Sequence, residues 1–269
     1  MKEASGESYD WNGGLELDSV TGRIQYGSKP LVEIPPHFQF FLVRHAETFA
    51  NQKMIFQGCD VENELTQLTP EGERQASNTA DRLVEQLDQS FQSEDTEVIV
   101  ISSPAQRAFK TAGFFTERVR HLKGRTLKLE IQPFLNEIRF GNMSGLCEEQ
   151  IRELGAEYQR FLQEFRKRGN AAISLGGSDS FLDVLKRAHS GLKSFLKEKE
   201  FEHRQKKRVH LVVFTHMITA SALCVALRDE TLISYCSESG KEFVNWRRII
   251  QNAECLTWNF SSRRMQTLI

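Results

Sequence analysis

Four side chains with the means to bind or attack a phosphoryl group stand directly behind apolar segments of this chain. Arg44 and His45 follow the run FFLV, Arg107 comes shortly after EVIVISS, and His216 follows RVHLVVFT. Guanidinium groups bind phosphate oxygens through paired hydrogen bonds, and a neutral imidazole can attack phosphorus. The four residues therefore suggest phosphoryl transfer if the fold brings them together.

The apolar segments that precede these residues have the length and composition of buried strands, at 38–43, 97–101 and 208–214. Helix-start signals follow the first two strands, with Thr69 before Pro70 and Ser103 before Pro104. Alternating strands and helices predict an α/β fold, with a mainly parallel central sheet and helices on both faces. Ligands bind beyond the carboxyl ends of such strands, so the four side chains are expected at one edge.

Phosphoryl transfer also needs a proton donor for the leaving oxygen, which the four residues do not supply. Glu137, in the segment FLNEIRFG, follows another candidate strand at 127–131 and is the carboxyl group placed for this role. The surrounding cations would stabilise the charge of the transferring phosphoryl group. We therefore expect neither a metal ion nor a cofactor.

Residues 1–36 are polar and contain glycine, and we expect them to be a short N-terminal extension of a catalytic domain at 37–269. LELDSV and GRIQY flank Thr21 and Gly22, which favours a hairpin within the extension. The extension is expected to pack on the domain; the alternatives are a partner-binding arm and disorder. Further along, the pattern of CEEQIRELGAEYQRFLQEFRKRG predicts one amphipathic helix that ends at Gly169, with an aromatic face for the core or for a lid.

The composition is that of an ordinary globular protein of 269 residues, with 39% hydrophobic residues and a net charge of -1. This charge gives no reason to expect nucleic acid or an anionic membrane as partner. Five cysteines without a C-x-x-C pattern favour free thiols in a reducing compartment, so we expect a cytoplasmic protein. The oligomeric state cannot be read from the sequence.

Six segments resemble, in chain order, the motifs of the histidine phosphatase superfamily, the fold of cofactor-dependent phosphoglycerate mutase and fructose-2,6-bisphosphatase. They are LVRHAETFAN, LTPEGERQA, SSPAQRAFKTA, LNEIRFGNMSG, GGSDSFLDVLKRA and VVFTHMITA, and the resemblance covers 38–268. It implies that His45 is the nucleophile and Glu137 the acid and base. It also implies a phosphate pocket of Arg44, Arg107 and His216, with Asn51 and Gln57 at positions that contact phosphate or substrate.

Three positions depart from the usual pattern of that family. Ala46 and Met217 replace glycines that follow the two histidines, and Arg139 stands where many of the phosphatases have a carboxylate. The extra methyl of Ala46 is expected to be tolerated. Met217 is expected to line the pocket and to change the shape of the substrate that fits there. Arg139 would add positive charge if it faces the pocket.

The leading hypothesis is a phosphohydrolase that acts on a small phosphorylated metabolite through a phosphohistidine. A mutase is the first alternative, but mutases of the family read Asn-Glu-Arg where this chain has Asn136-Glu137-Ile138, and the stretch 145–176 is short for one. A protein-tyrosine phosphatase remains open because it would use the same chemistry. The other alternative is an interaction protein that binds partners through residues 1–36, although neither the nucleophile nor an arginine is lost.

Overall fold

The structure is a computed structural model that describes residues 11–236, 241–247, 249–259 and 261–268. Ten strands lie in these segments, and their bounds are β1 Leu15–Leu17, β2 Ile24–Tyr26, β3 Phe38–Arg44, β4 Thr96–Ser102, β5 Leu129–Ile131, β6 Arg208–Thr215, β7 Ile233–Cys236, β8 Lys241–Val244, β9 Cys255–Asn259 and β10 Arg264–Thr267.

Eight α-helices connect or cover these strands within the described segments: α1 Phe49–Gln52, α2 Pro70–Gln86, α3 Asp88–Phe91, α4 Gln106–Lys123, α5 Glu148–Glu153, α6 Ala156–Leu162, α7 Phe181–Glu202 and α8 Met217–Ala226. Helix α2 begins as its sequence predicts, because the Thr69 side chain accepts the Gly72 N–H and Pro70 takes the first turn. None of the helices that the structure describes is long and apolar enough to cross a membrane.

Six strands form the central sheet, in the order β10-β9-β3-β6-β4-β5. Strands β3, β6, β4 and β5 are parallel to one another. Strand β9 pairs antiparallel with β3, and β10 pairs antiparallel with β9 at the edge of the sheet. The predicted α/β class with a mainly parallel sheet is confirmed. The parallel order places the carboxyl ends of β3, β6 and β4 side by side, which is the edge where Arg44 and His216 were expected.

Both faces of the sheet are covered, because successive side chains of each strand point to opposite faces. Phe41 and Val43 of β3 contribute to a buried cluster with α2 and α4. Phe40 and Leu42 of the same strand contribute to the larger cluster with α7 and α8. The uninterrupted apolar run of β3 thus reflects burial on both faces.

The predicted N-terminal hairpin is present as β1 and β2, which pair antiparallel. Its residues Leu15 and Ile24 are buried in the same cluster as α7 and α8. The guanidinium of Arg23 lies 4.0 Å from the centre of the Phe243 ring. The Tyr26 hydroxyl donates to the carbonyl of Asp229 over 3.0 Å. The hairpin therefore packs against the rest of the chain through apolar and polar contacts.

The prediction of one continuous helix before Gly169 was wrong. The chain breaks at Gly155, whose φ of 140° lies outside the range of helices, so α5 and α6 are separate. A turn of π-helix at Gln163–Arg168 follows α6, and Gly169 ends it in the left-handed conformation, as expected. The aromatic face belongs to the core, since Phe161 stacks on Phe165 and both are buried.

One buried histidine in the middle of β6 has no place among the predicted catalytic residues. His210 is 2% exposed, and its Nε2 lies 2.8 Å from the Ser90 hydroxyl. Its Nδ1 has no hydrogen-bond partner among the described residues. Burial, and secondarily the charge of Arg208, lowers the pKa of His210 from 6.5 to about 4. Protonation of this ring is therefore unfavourable in the folded protein.

We expect the protein to lose stability as the pH falls through the window from 6.5 to about 4, where the unfolded chain binds a proton at His210 and the folded chain does not. The contribution of His210 to the free energy of unfolding should fall by about 2 kcal/mol between about pH 7 and about pH 5. Urea unfolding of wild type and His210→Gln at both pH values measures it. His121→Gln, at an exposed histidine, is the control. Equal pH dependence in wild type and His210→Gln would contradict this account.

Candidate active site

The structure brings together the five residues that the sequence singles out for catalysis. Arg44 ends β3 and His45 follows it, while His216 follows β6 as the residue that caps α8. The rings of His45 and His216 are 5.2 Å apart between their centres. Arg107 lies in the first turn of α4, and the carboxylate of Glu137 is close enough to raise the pKa of both arginines against the effect of burial.

His45 is held as a neutral ring with one free nitrogen. Its Nδ1 lies 2.8 Å from the carbonyl oxygen of Ala46, so Nδ1 carries the proton and Nε2 carries the lone pair. The side chain is 3% exposed. Burial, followed by the charges of Arg107 and Arg44, lowers the pKa of His45 well below its usual value. The ring is therefore neutral near pH 7, and Nε2 has the lone pair that a nucleophile requires.

Arg107 offers buried hydrogen-bond donors that no described residue accepts. The residue is 1% exposed, and its Nη2 donates to the carbonyl of Gly58 over 2.7 Å. Its Nε and Nη1 have no hydrogen-bond partner in the described segments, and Nη1 lies 3.8 Å from a carboxylate oxygen of Glu62. Buried N–H groups of a guanidinium are normally paired, so these donors are available to an ordered water or to an anionic ligand.

Arg44 also combines one hydrogen bond to a backbone carbonyl with an N–H group that no described residue accepts. Its Nη1 donates to the carbonyl of Ile250 over 2.6 Å, and its Nε has no partner among the residues described. The backbone carbonyl of His45 accepts from Ala253 N–H and from the Asn252 side chain, over 3.2 and 3.1 Å. Residues 250–254 therefore hold Arg44 and His45. This segment carries no motif, and its contacts with the two residues were not predicted from the sequence.

His216 is also a neutral ring and is completely buried. Its Nε2 lies 2.8 Å from the Ser103 hydroxyl, and its Nδ1 has no partner among the described side chains and backbone groups. Burial, then Arg107, His45 and Arg44, lowers its pKa well below the usual value. The two imidazoles therefore do not repel each other as charged groups.

The Glu137 carboxylate lies at the N-terminus of α8. Its Oε1 accepts from the N–H of Thr219 over 3.1 Å and of Ile138 over 3.0 Å, and its Oε2 accepts from the N–H of Ile218 over 3.2 Å. Helix N-termini favour negative charge, so this position suits the carboxylate. Arg187 of α7 donates to the carbonyl of Glu137 over 3.2 Å, a contact that was not predicted from the sequence.

The sequence predicts three further residues that contact the substrate, and each of them lies in a different environment. The oxygen of the Asn51 side chain accepts from the backbone and hydroxyl of Thr48 and from Asn252, so it completes the capping box of α1, whose N-cap is Thr48. Gln57 is buried, and its Oε1 has no partner within the part of the chain that the structure describes. Met217 is half-buried and packs against the large core cluster at the start of α8.

Ala46 is accommodated by a small apolar cluster that includes Leu68, Ala76 and Ala253. Its N–H donates to the Thr111 hydroxyl over 3.1 Å, and that hydroxyl donates to the carbonyl of Arg107 over 2.7 Å. The methyl group is fully buried. The chain tolerates alanine here because the methyl group packs among these small apolar side chains.

The fold and the site define an α/β protein with a neutral histidine beside two arginines whose N–H groups are not all accepted by described residues. The family model described as histidine phosphatase superfamily (branch 1) matches residues 40–235. The chain therefore belongs to the histidine phosphatase superfamily. No curated protein matches the chain in a sequence comparison.

Solved structures with the same fold come from several organisms. A mycobacterial glucosyl-3-phosphoglycerate phosphatase complexed with VO3 has a TM-score of 0.59 and 25% identity, over 85% of this chain and 96% of its own. YhfR of Bacillus stearothermophilus has a TM-score of 0.60 and 20% identity, over 86% and 95%. A mutant phosphoserine phosphatase of Entamoeba histolytica with bound phosphoserine has a TM-score of 0.56 and 21% identity, over 86% and 94%.

The close approach of α2 to the loop after His45 depends on Gly72. A Cβ atom at this position would lie 2.1 Å from the carbonyl oxygen of Glu47, two residues beyond His45. We expect Gly72→Ala to displace the loop, with a loss of about 1–3 kcal/mol in the free energy of unfolding and about 10- to 100-fold in kcat/KM. Urea unfolding and steady-state kinetics measure the two effects.

Gly113 in α4 provides the matched control, because a Cβ there would meet no described atom within 4 Å. Gly113→Ala is expected to leave activity unchanged and to raise stability by about 0.5–1 kcal/mol through helix propensity. If Gly72→Ala behaves like Gly113→Ala, the contact with Glu47 does not position the catalytic loop.

Proposed function

We propose that this protein is a phosphohydrolase that removes a phosphoryl group from a small phosphorylated metabolite through a phosphohistidine at His45. The observation that carries the proposal is the neutral His45 ring. Its Nε2 keeps the lone pair because Nδ1–H donates a hydrogen bond to the carbonyl of Ala46. This nitrogen lies in the same site as N–H groups of Arg44 and Arg107 that no described residue accepts and that could bind an anion.

The arginines bind and orient the phosphoryl group in this proposal. The Nε of Arg44 and the Nε and Nη1 of Arg107 are the donors for its oxygens. Both guanidinium groups remain charged although burial lowers the pKa of each, since arginine keeps its proton in proteins. Fixed positive charge in a buried site stabilises the transferring phosphoryl group more strongly than it would in water.

Two chemical steps follow from this arrangement. In the first, Glu137 takes up a proton from water when the anionic substrate binds. His45 Nε2 then forms a bond to phosphorus while the bond from phosphorus to the leaving oxygen breaks, and Glu137 gives its proton to that oxygen. In the second, Glu137 takes a proton from water, whose oxygen attacks phosphorus and breaks the bond to Nε2. The products are the free alcohol and inorganic phosphate, and both His45 and Glu137 return to their states in the substrate complex.

The neighbouring structures support a small anionic substrate. Their names give glucosyl-3-phosphoglycerate and phosphoserine as substrates, and each of these carries a carboxylate besides the phosphoryl group. In this chain burial, followed by the charges of Asp60 and Asp179, raises the pKa of the Cys59 thiol, and the exposed Arg139 acts in the opposite direction. Arg139 therefore lies near Gly58, whose carbonyl accepts from Arg107. Arg139 is therefore the candidate that binds a second anionic group of the substrate.

The first prediction concerns the nucleophile. His45→Ala is expected to lower phosphate release from phosphorylated metabolites to background, because no other group replaces Nε2, while the thermal unfolding temperature stays close to that of wild type. His121→Ala, at an exposed histidine of α4, is the control and should be fully active. EDTA is expected to leave the wild-type rate unchanged. Activity retained by His45→Ala would remove His45 from the mechanism.

A second prediction separates the role of Glu137 as an acid from a structural role. Glu137→Gln keeps the oxygen that accepts from Thr219 and Ile138 but lacks the proton for the leaving group. It should slow phosphoryl transfer from an alkyl phosphate by about 10²–10⁴-fold and from p-nitrophenyl phosphate much less, because nitrophenolate leaves without a proton. Single-turnover formation of phosphohistidine is the measurement. Equal slowing of both substrates would show that Glu137 is structural.

The third prediction concerns the charge of the substrate. Arg139→Asp should lower kcat/KM for a substrate with a second anionic group far more than for a simple alkyl phosphate, because the carboxylate repels that group. Arg82→Asp makes the same charge change near the far end of α2 and should lower neither. An unchanged ratio of the two kcat/KM values in Arg139→Asp would leave Arg139 without a part in substrate binding.

A further inference from the structure

The hydrogen bonds around His216 include a hydroxyl group that the two chemical steps do not use. Ser103 follows β4 and is completely buried. Its Oγ lies 2.8 Å from His216 Nε2 and 3.2 Å from the side-chain oxygen of Asn136, and the N–H of Ala105 donates to it over 3.3 Å. A hydroxyl has one donor and two acceptor positions, and all three are used here.

This set of bonds determines which nitrogen of His216 carries the proton. Ser103 gives its only proton to Asn136 Oδ1, so it must accept from His216 Nε2–H. Nδ1 then has the lone pair, and it is buried with no partner in the described segments. A lone pair is favourable beside positive charge, and both Arg107 and Arg44 act on the His216 ring.

The same arrangement is unsuitable once a phosphoryl group is bound. A phosphoryl oxygen is an acceptor, and the lone pair on His216 Nδ1 would repel it. Burial, the largest of the causes that lower the pKa of His216, also opposes protonation of the whole ring. The ring can instead remain neutral and carry its single proton on Nδ1. That change requires a different donor for Nε2, and Ser103 is the group in contact with it.

We propose that Ser103 is a positioning residue whose hydroxyl reverses its hydrogen bond when a phosphoryl group binds. The hydroxyl turns from Asn136 to donate to His216 Nε2, and Nδ1–H donates to a phosphoryl oxygen. The ring keeps one proton, because Nε2 releases its proton to water and Nδ1 takes one up from water. Rotation of the Asn136 amide then presents its Nδ2–H to the Ser103 oxygen. The inference rests on the proposed function, since it assigns the anion as a phosphoryl group.

Nitrogen NMR of protein with isotope-labelled histidine distinguishes the two neutral forms of a ring from each other and from the charged form. The signals of His216 are assigned by their absence in His216→Asn. We expect the Nε2–H form in the free protein and the Nδ1–H form after addition of inorganic phosphate. An Nε2–H form that persists with phosphate, a doubly protonated ring, or an Nδ1–H form already present without phosphate would each overturn the proposal.

Ser103→Ala tests the hydroxyl itself. With neither acceptor nor donor at Nε2, the ring should hold the same form with and without phosphate, and kcat/KM should fall about 10- to 100-fold because a buried nitrogen is left unpaired. Ser103→Thr keeps the hydroxyl and should restore the phosphate-dependent change. A phosphate-dependent change that survives in Ser103→Ala would show that Ser103 does not control the ring.

Ser102 is a matched control for these variants. It is equally buried at the end of β4, and its hydroxyl donates to the carbonyl of Ser103 over 3.0 Å. Ser102→Ala should keep the phosphate-dependent change at His216. The NMR result is independent of turnover. A change of the ring without hydrolysis of any phosphomonoester would contradict the proposed function alone, whereas hydrolysis without the change would contradict only the role of Ser103.

Discussion

The positive charge of two guanidinium groups, one buried and one partly buried, is the constraint on which this structure depends. Arg107 is almost fully buried and Arg44 partly so, and each keeps N–H groups that no described residue accepts. Removing such ions from water costs several kcal/mol per ion, which other parts of the fold must offset. Glu137 supplies one negative charge, and its position at the N-terminus of α8 supplies the donors that hold it. The remaining positive charge is what an anionic substrate would neutralise.

Backbone carbonyls orient the two guanidinium groups and the His45 ring. The carbonyl of Ala46 holds His45, that of Gly58 holds Arg107 and that of Ile250 holds Arg44. A carbonyl directs a donor without neutralising a charge, whereas a carboxylate in the same place would fill the site with its own negative charge. Burial, followed by the charges of neighbouring groups that include both arginines, keeps both imidazoles neutral. The charges that would bind an anion therefore also help to keep the lone pair on His45.

Much of this site could be predicted from the sequence because it lies at the ends of parallel strands. The apolar runs before Arg44 and His216 identify buried strands, and the parallel sheet brings their carboxyl ends together. Other contributions depend on tertiary packing that leaves no periodic signal. The segment 250–254 supports Arg44 and His45 from an antiparallel edge of the sheet, and Ser103 looks like an ordinary helix-start residue until His216 is placed beside it. The break at Gly155 was missed because the apolar pattern continues across it, although its glycine was a visible warning.

The position of the phosphoryl group on the His45 ring tests the central claim most directly. The enzyme, labelled with nitrogen isotope in histidine, is mixed with a phosphorylated substrate and quenched in alkali, and the phosphopeptide is examined by phosphorus–nitrogen coupling. Because Nδ1 donates to the carbonyl of Ala46, the account predicts phosphorus bonded to Nε2 of His45. Phosphorus on Nδ1, on another residue such as Cys59, or on no residue while product forms within the same turnover would contradict it.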